Sequence, residues 1–436
     1  MKKFLVIFTI VLILIGLTSC QKTTTDERTI TPSSLRDVPA LRLNFRFESD
    51  VPAPPADSLN AQNQEKNPTI QADFDQNRPE ETLEKVIPSP DKKRILVVYT
   101  KLNDLAATYR LDMYSADGKL LNKITPNGLA VYYPDTIVWS PDNNNVAFVG
   151  AVRMTQTAAP TPTPDAPIVP NLDNDNSAPS VPAESNTNTT PTPDNSKQVL
   201  TFRTEQIYIC NSDGGDLKPI TQNEGLIYFY FVWSPDSSAL ATLAATWKEW
   251  SFLKYQADQK GENFVPMGRP RLVEKNGRIR LLDDNLTPAH PVWSPDSAKI
   301  ACAFDKDVRI YDAVGNNPTQ AGIPMKVPLL MAAKNYDEEL KRKNGGNITV
   351  NQNTNSKSNS AANNSNTTSL PTDVNALPDE RTLVSFNPIV QLQWTEPNIL
   401  YLQTGFIKQF KNSEQNISSY LRWHRLLLSP QPIKLN

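Results

Sequence analysis

Trp139-Ser140-Pro141-Asp142, Trp233-Ser234-Pro235-Asp236 and Trp293-Ser294-Pro295-Asp296 are three copies of one tetrapeptide in a chain of 436 residues. A trimmed copy, Ser89-Pro90-Asp91, lies upstream, and a degenerate one, Trp394-Thr395-Glu396-Pro397, lies downstream. Each full copy leads into an apolar run: Val146–Val149, Leu240–Leu243 or Ile300–Phe304. Proline holds φ near the value required at the first central position of a type I turn, and the flanking serine and aspartate can bond to nearby backbone. The motif therefore predicts a tight turn entered from a buried tryptophan and left into a β-strand. A second corner recurs further on, as Ser115-Ala116-Asp117-Gly118, Ser212-Asp213-Gly214-Gly215, Lys275-Asn276-Gly277 and Ala313-Val314-Gly315-Asn316. Such Asp-Gly and Asn-Gly pairs favour hairpins because both residues tolerate positive φ.

Between the corners the sequence alternates as strands do, in Tyr109–Tyr114, Gln206–Cys210 and Val308–Tyr311, with exits at Ile124-Thr125 and Ile220-Thr221. One unit reads strand, Ser-Pro-Asp turn, strand, loop, strand, Asp-Gly turn, strand. The unit recurs at 51 and 60 residues, while two longer intervals of 94 and 101 shorten to 52 and 66 once the polar tracts 156–197 and 345–379 are removed. Four antiparallel strands per repeat predict an all-β fold, a β-propeller of five to six four-stranded blades over residues 81–436. A β-sandwich has no reason to repeat one turn at this spacing.

Trp-Ser-Pro-Asp, a β run, an alternating strand, Asp-Gly and then an Ile-Thr exit resemble the repeat of TolB-like β-propellers. The same repeat, akin to WD-type blades, occurs in the propellers of peptidases of the dipeptidyl peptidase IV type. The family usually has glycine after the aspartate; here Lys92, Asn143, Ser237 and Ser297 stand there. The peptidases carry their catalytic machinery in an additional α/β-hydrolase domain, which is not expected in the few residues after the final blade. The resemblance implies a binding or scaffold module for an envelope protein or glycan. The chain shows no counterpart of TolB's separate N-terminal domain.

Residues 1–19 predict a signal peptide: Lys2 and Lys3, an apolar core at 4–16, then Leu17-Thr18-Ser19-Cys20. The last four residues resemble a bacterial lipobox, which implies that Cys20 becomes a lipidated N-terminus and that the protein is held in the bacterial cell envelope. Residues 20–80 read as a polar tether with one strand over 41–47, able to join the last blade or dock on the side. The tracts 156–197 and 345–379 hold too few large apolar residues to offset ordering entropy and are expected to be disordered. Leu329, Ala332, Ala333, Tyr336 and Leu340 fall on one helical face within 328–343.

Function is less legible. With 44 basic and 46 acidic residues and a net charge of −2, no stretch concentrates Lys and Arg, which disfavours nucleic acid. There are two histidines, no Gly-x-Ser-x-Gly elbow and no Cys-x-x-Cys pair, so neither a hydrolase triad nor a metal site is predicted, nor any cofactor. Cys210 and Cys302, in strands of different blades, read as buried thiols rather than a disulfide. Two residues are singled out as a speculative ligand site: Glu249, an acid among aromatics in Trp247-Lys248-Glu249-Trp250, and His290 at the start of a blade. They belong to the alternative reading, an enzyme with its site in the propeller channel, of glycosidase, lyase or lactonase type.

Overall fold

The computed structural model describes residues 34–55, 67–102, 104, 107–152, 205–222, 224–343 and 377–431, with a short pairing of Thr29–Ile30 and Ile433–Lys434. Five antiparallel sheets follow one another along the chain as the blades of an all-β propeller. Blade 1 comprises Glu81–Pro88, Arg94–Lys101, Arg110–Ser115 and Leu120–Lys123. Blade 2 has a divided first strand, Leu129–Tyr132 and Val138–Trp139, followed by Asn145–Val152, Glu205–Asn211 and Lys218–Pro219. Blade 3 is Leu226–Trp233, Ala239–Thr246, Arg269–Glu274 and Ile279–Leu281; blade 4 is Val292–Trp293, Lys299–Phe304, Asp307–Asp312 and Gln320–Pro324. Blade 5 takes Ile389–Glu396, Ile399–Lys408 and Ile417–Pro430 from the end of the chain, and its fourth strand, Leu43–Glu48, from the beginning. Tyr420–Trp423 and Leu426–Leu428 lie in one long strand, with Tyr420 at φ 55°.

The repeat motif stitches neighbouring blades together. In every copy the serine Oγ receives the amide of the residue five positions on and bonds to the aspartate, closing a five-residue corner. The tryptophan indole then reaches back one blade: Trp139 Nε1 donates to the Ile87 carbonyl, Trp233 Nε1 to Val138, and Trp293 Nε1 to Val232. The residue following the aspartate is left-handed in all four corners, with φ 59° at Lys92, 62° at Asn143, 60° at Ser237 and 61° at Ser297. This is the position where the related repeat carries glycine. The side chains repay the strain, because Asn143 Oδ1, Ser237 Oγ and Ser297 Oγ each accept the amide of the preceding blade's aspartate, at 2.9, 3.0 and 2.9 Å. A left-handed conformation costs an L-residue about 1 kcal/mol, and a hydrogen bond returns about the same. Lys92, in the first blade, has no earlier corner to serve.

Apolar clusters fill the four interfaces from blade 1 to blade 5, and Trp139, Trp233, Trp293 and Trp394 are buried in them. Blades 5 and 1 are not joined in this way. Among the described residues no apolar cluster bridges these two blades. Blade 1 turns its far face to helix α1 (Pro68–Asn77), whose Ile70 and Phe74 pack on Ile95, Val97, Tyr99 and Tyr114. Blade 5 presents Gln391, Gln393, Gln403 and Arg425 on its far face, and residues 51–55 lie along it through Val51 N to the Trp423 carbonyl and Gln393 Nε2 to the Pro55 carbonyl. The 20–80 segment therefore departs from a simple tether. Its residues 34–55 and 68–80 are docked, because Leu35, Val38, Ala40, Ile70 and Phe74 give it apolar anchors. The strand expected at 41–47 is Leu43–Glu48 and joins the last blade.

Candidate functional site

Antiparallel meanders sort their connections by end. The Ser-Pro-Asp and Asp-Gly corners share one end of the propeller, here the turn end, and Gly118, Gly214, Gly277 and Gly315 take positive φ there. The connections between second and third strands, and those between blades, share the other, the loop end. Every long excursion leaves from the loop end: 153–204 in blade 2, 247–268 in blade 3, 409–416 in blade 5, and 325–388 between blades 4 and 5. The tracts expected to be disordered, 156–197 and 345–379, lie almost wholly outside the described residues, as does Cys20.

The blade 3 excursion opens with helix α2 (Trp247–Lys260). Thr246 caps it, with its Oγ1 accepting the Glu249 amide while Glu249 Oε2 accepts the Thr246 amide at 3.0 Å. Gly261, at φ 66°, ends it. The Glu249 carboxylate is also bound by Arg269 Nη1 at 2.6 Å. Burial acts to raise its pKa, but the Thr246 amide and Arg269 overcome that and hold it below the ordinary glutamate range. Trp250 packs between Phe229, Tyr133 and Phe264, with ring centroids 5.4, 6.0 and 4.7 Å away. Glu249 is thus a helix cap and ion-pair partner. His290 stacks on Tyr230 at 3.6 Å between centroids, and desolvation lowers its pKa. Each has its own partners, and no contact brings the two together as one site.

At 100° per residue Trp250, Leu253 and Ala257 face the propeller, which leaves Trp247 on the flank of the first turn and Phe252 and Tyr255 on the outward side. They are 50%, 58% and 62% exposed, and no residue of the helix is buried. Past the helix the chain pairs with the blade 5 hairpin. Glu262 forms a bridge with Phe410, the Asn263 amide donates to the Gln409 carbonyl at 2.9 Å, and the Lys411 amide donates to Gly261. Lys408–Glu262 at 2.8 Å and Lys411–Asp258 at 2.9 Å are ion pairs across the same junction. Blades 3 and 5 are thereby tied over blade 4. Phe406 and Ile417 are exposed on one face of the hairpin and Ile407 on the other, so the tied pair offers an aromatic and aliphatic platform. In the corners of the turn end Val314 is the one large apolar side chain exposed, among the described residues.

Helix α3 (Lys326–Lys343) follows blade 4 and buries Leu329, Leu330, Ala332, Ala333 and Asp337; of the face the spacing predicts, Leu329, Ala332 and Ala333 are buried while Tyr336 and Leu340 are half-buried. It packs beside a buried polar cluster. Arg422 clamps Asp50 through Nε and Nη2 at 2.7 and 2.8 Å, reaches Ser385 and the Ala332 carbonyl, and lies 4.4 Å over the Tyr336 ring. His424 accepts the Asp50 amide at Nδ1 and meets Thr404 at 3.0 Å. Its pKa is pushed down to about 4, first by burial and then by the Arg422 charge. Cys210 and Cys302 are buried free thiols in different interfaces. Among the described residues no group of three His, Cys, Asp or Glu is placed to hold a metal ion, and no helix is long and apolar enough to cross a membrane.

No family model and no curated protein matches the chain. Solved structures that share part of its course include a putative TolB from Agrobacterium tumefaciens, 16% identical over 55% of this chain and 66% of that one, with a TM-score of 0.24. An oligogalacturonate lyase from Vibrio parahaemolyticus is 12% identical over 55% and 54%, with a TM-score of 0.28. Prolyl oligopeptidase B from Galerina marginata is 11% identical over 58% of this chain and 31% of that one, with a TM-score of 0.33. The chain spans less than two thirds of each. Scores this low carry no argument about activity, and the propeller rests on its own five sheets.

Proposed function

We propose that this chain is a binding and scaffold module of the bacterial cell envelope, held to a membrane through a lipid on Cys20, which engages an envelope protein or glycan with its loop end. The carrying observation is the asymmetry of the two ends: the corners at one end are spent on blade-to-blade hydrogen bonds, while the long excursions, with the exposed Phe252, Tyr255, Phe406 and Ile417, leave from the other. A rigid scaffold that displays loops at one end is a common way to build a binding surface. Glu249, in the channel-enzyme alternative the residue offered as the acid, is already committed to Thr246 and Arg269. The test is a photo-crosslinking amino acid placed at Leu102, exposed in the blade 1 connection at the loop end, and separately at Asp117 in the turn end, in cells expressing the full chain. A discrete adduct from Leu102 and none from Asp117 is expected. Adducts from Asp117 alone would overturn the reading, as would unprocessed mass together with unchanged membrane retention for Cys20→Ala as regards the anchor.

A further inference from the structure

We infer that the platform built by α2 and the blade 5 hairpin seats directly on a lipid surface with anionic headgroups, as a membrane contact separate from any N-terminal lipid. This rests on the loop end being the contact end and names what one part of it touches. Three observations carry it. First, α2 stands outside its blade without a fully buried residue, so its outer side chains are in reach of a surface laid against them.

Second, its exposed side chains are those of the membrane interface. Trp247 and Tyr255 carry a polar atom on a large ring and suit the headgroup level, while Phe252, Phe406 and Ile417 are apolar throughout. Third, five lysines stand among them, Lys248, Lys254 and Lys260 on the helix and Lys408 and Lys411 on the hairpin, against four acids in the same segments, Glu249, Asp258, Glu262 and Glu414. Lysine is depleted from protein–protein interfaces, but on a lipid surface its stem lies along the acyl boundary and its ammonium meets phosphate. Of these, Lys408 and Lys411 also bond the two halves of the platform together, at Glu262 and Asp258, so the two halves approach a flat surface as one body.

The N-terminal segment does not forbid this orientation. Leu35 enters at the turn end, where Arg36 bonds the Asp296 carbonyl. The nine residues from Gln21 to Thr29, which pairs with Lys434, can reach ~30 Å at about 3.3 Å per residue, against ~26 Å for an eight-residue blade strand.

The test is tryptophan quenching in the full chain reconstituted into vesicles of phosphatidylcholine and phosphatidylglycerol with brominated acyl chains. Trp247 is the one tryptophan among seven that is largely exposed, so its quenching reports the platform and not the N-terminal attachment. Clear quenching of the wild type, at least halved in Trp247→Phe and in a Phe252→Ser/Tyr255→Ser variant, and weaker without the anionic lipid, is expected. Circular dichroism and an unchanged midpoint establish that the variants are folded. Quenching that is absent, or equal in the variants, overturns the lipid contact. If the Leu102 crosslink then reports a protein, the binding reading stands and the lipid contact falls; with neither quenching nor adduct, both fall.

Discussion

The two ends of this propeller are built from the same strands yet obey different rules. At the turn end, corner follows corner with five residues each, the same serine bonds and the same left-handed residue. At the loop end, the connection between second and third strands is the two residues Asp305-Lys306 in blade 4, but in blade 3 it is a capped helix with a return segment. The difference teaches that repetition marks the positions each blade needs to hold its neighbour, and that what varies is free to serve another purpose. Hydrogen-bonding side chains at Asn143, Ser237 and Ser297 are a structural answer to a backbone requirement; Trp247, Phe252 and Tyr255 answer no requirement of the fold.

The largest expected effect sets one tryptophan against another. Trp233→Ala, at the interface of blades 2 and 3, removes a buried ring and its bond to Val138, and should cost about 4 kcal/mol in a denaturant titration. Trp247→Ala at the loop end should stay within about 0.5 kcal/mol of the wild type. Equal losses at the two sites would break the comparison.

The loop end is not soft throughout, and His424 sharpens that point. Its folded pKa, about 4, lies below its ordinary 6.5, so the unfolded chain takes up the proton first. The histidine's share of stability is whole above pH ~6.5 and is lost as the pH falls toward 4, amounting to roughly 3 kcal/mol. His424→Gln should remove that share of the pH dependence between 7 and 4, measured by chemical unfolding at each pH. An unchanged slope would show that the Asp50–Arg422 clamp stands without it.

Gly214 gives a smaller effect at the turn end. It sits at φ 83°, and a Cβ there would lie 2.9 Å from Ile124 Cγ1 and 3.0 Å from Met113 Cβ of blade 1. Gly214→Ala should cost about 2 kcal/mol, from the left-handed conformation and the crowding together. The smallest effects separate strain from compensation. Ser237→Ala keeps the positive φ and loses the bond to the Asp142 amide, and should destabilise by about 1 kcal/mol. Lys92→Gly relieves the same conformation where no earlier blade is served, and should stabilise by up to about 1 kcal/mol.

The architecture was legible because Trp-Ser-Pro-Asp encodes a local turn, and a turn needs no distant partner to be read. Leu43–Glu48 was legible as a strand, and its place on blade 5 was one of two readings, since alternation reveals a strand but not its neighbour. The docking of 34–42 and of α1 was missed: Lys299 binding the Val38 carbonyl and Asp312 binding the Ala40 amide span about 260 residues or more, which no spacing reveals. Helix α2 left a signal that went unread, the capping box Thr246-x-x-Glu249 and Gly261 at the far end, hidden inside an aromatic segment that suggested a ligand. Its junction with the blade 5 hairpin left none, because backbone pairing at Glu262 and Phe410 depends on two loops meeting rather than on residue type. The seam between blades 5 and 1 likewise follows from what lines each far face, and a motif count cannot reach it.

Residue-resolved amide hydrogen exchange of the four corner aspartates bears most directly on the stitched turn end. The amides of Asp91, Asp142 and Asp236 donate to the next blade, whereas Asp296 faces a blade that carries Thr395-Glu396-Pro397 in place of the corner. The first three should exchange at least ~10-fold more slowly than Asp296. Four equal rates would contradict a ladder that runs from blade 1 to blade 4 and stops there.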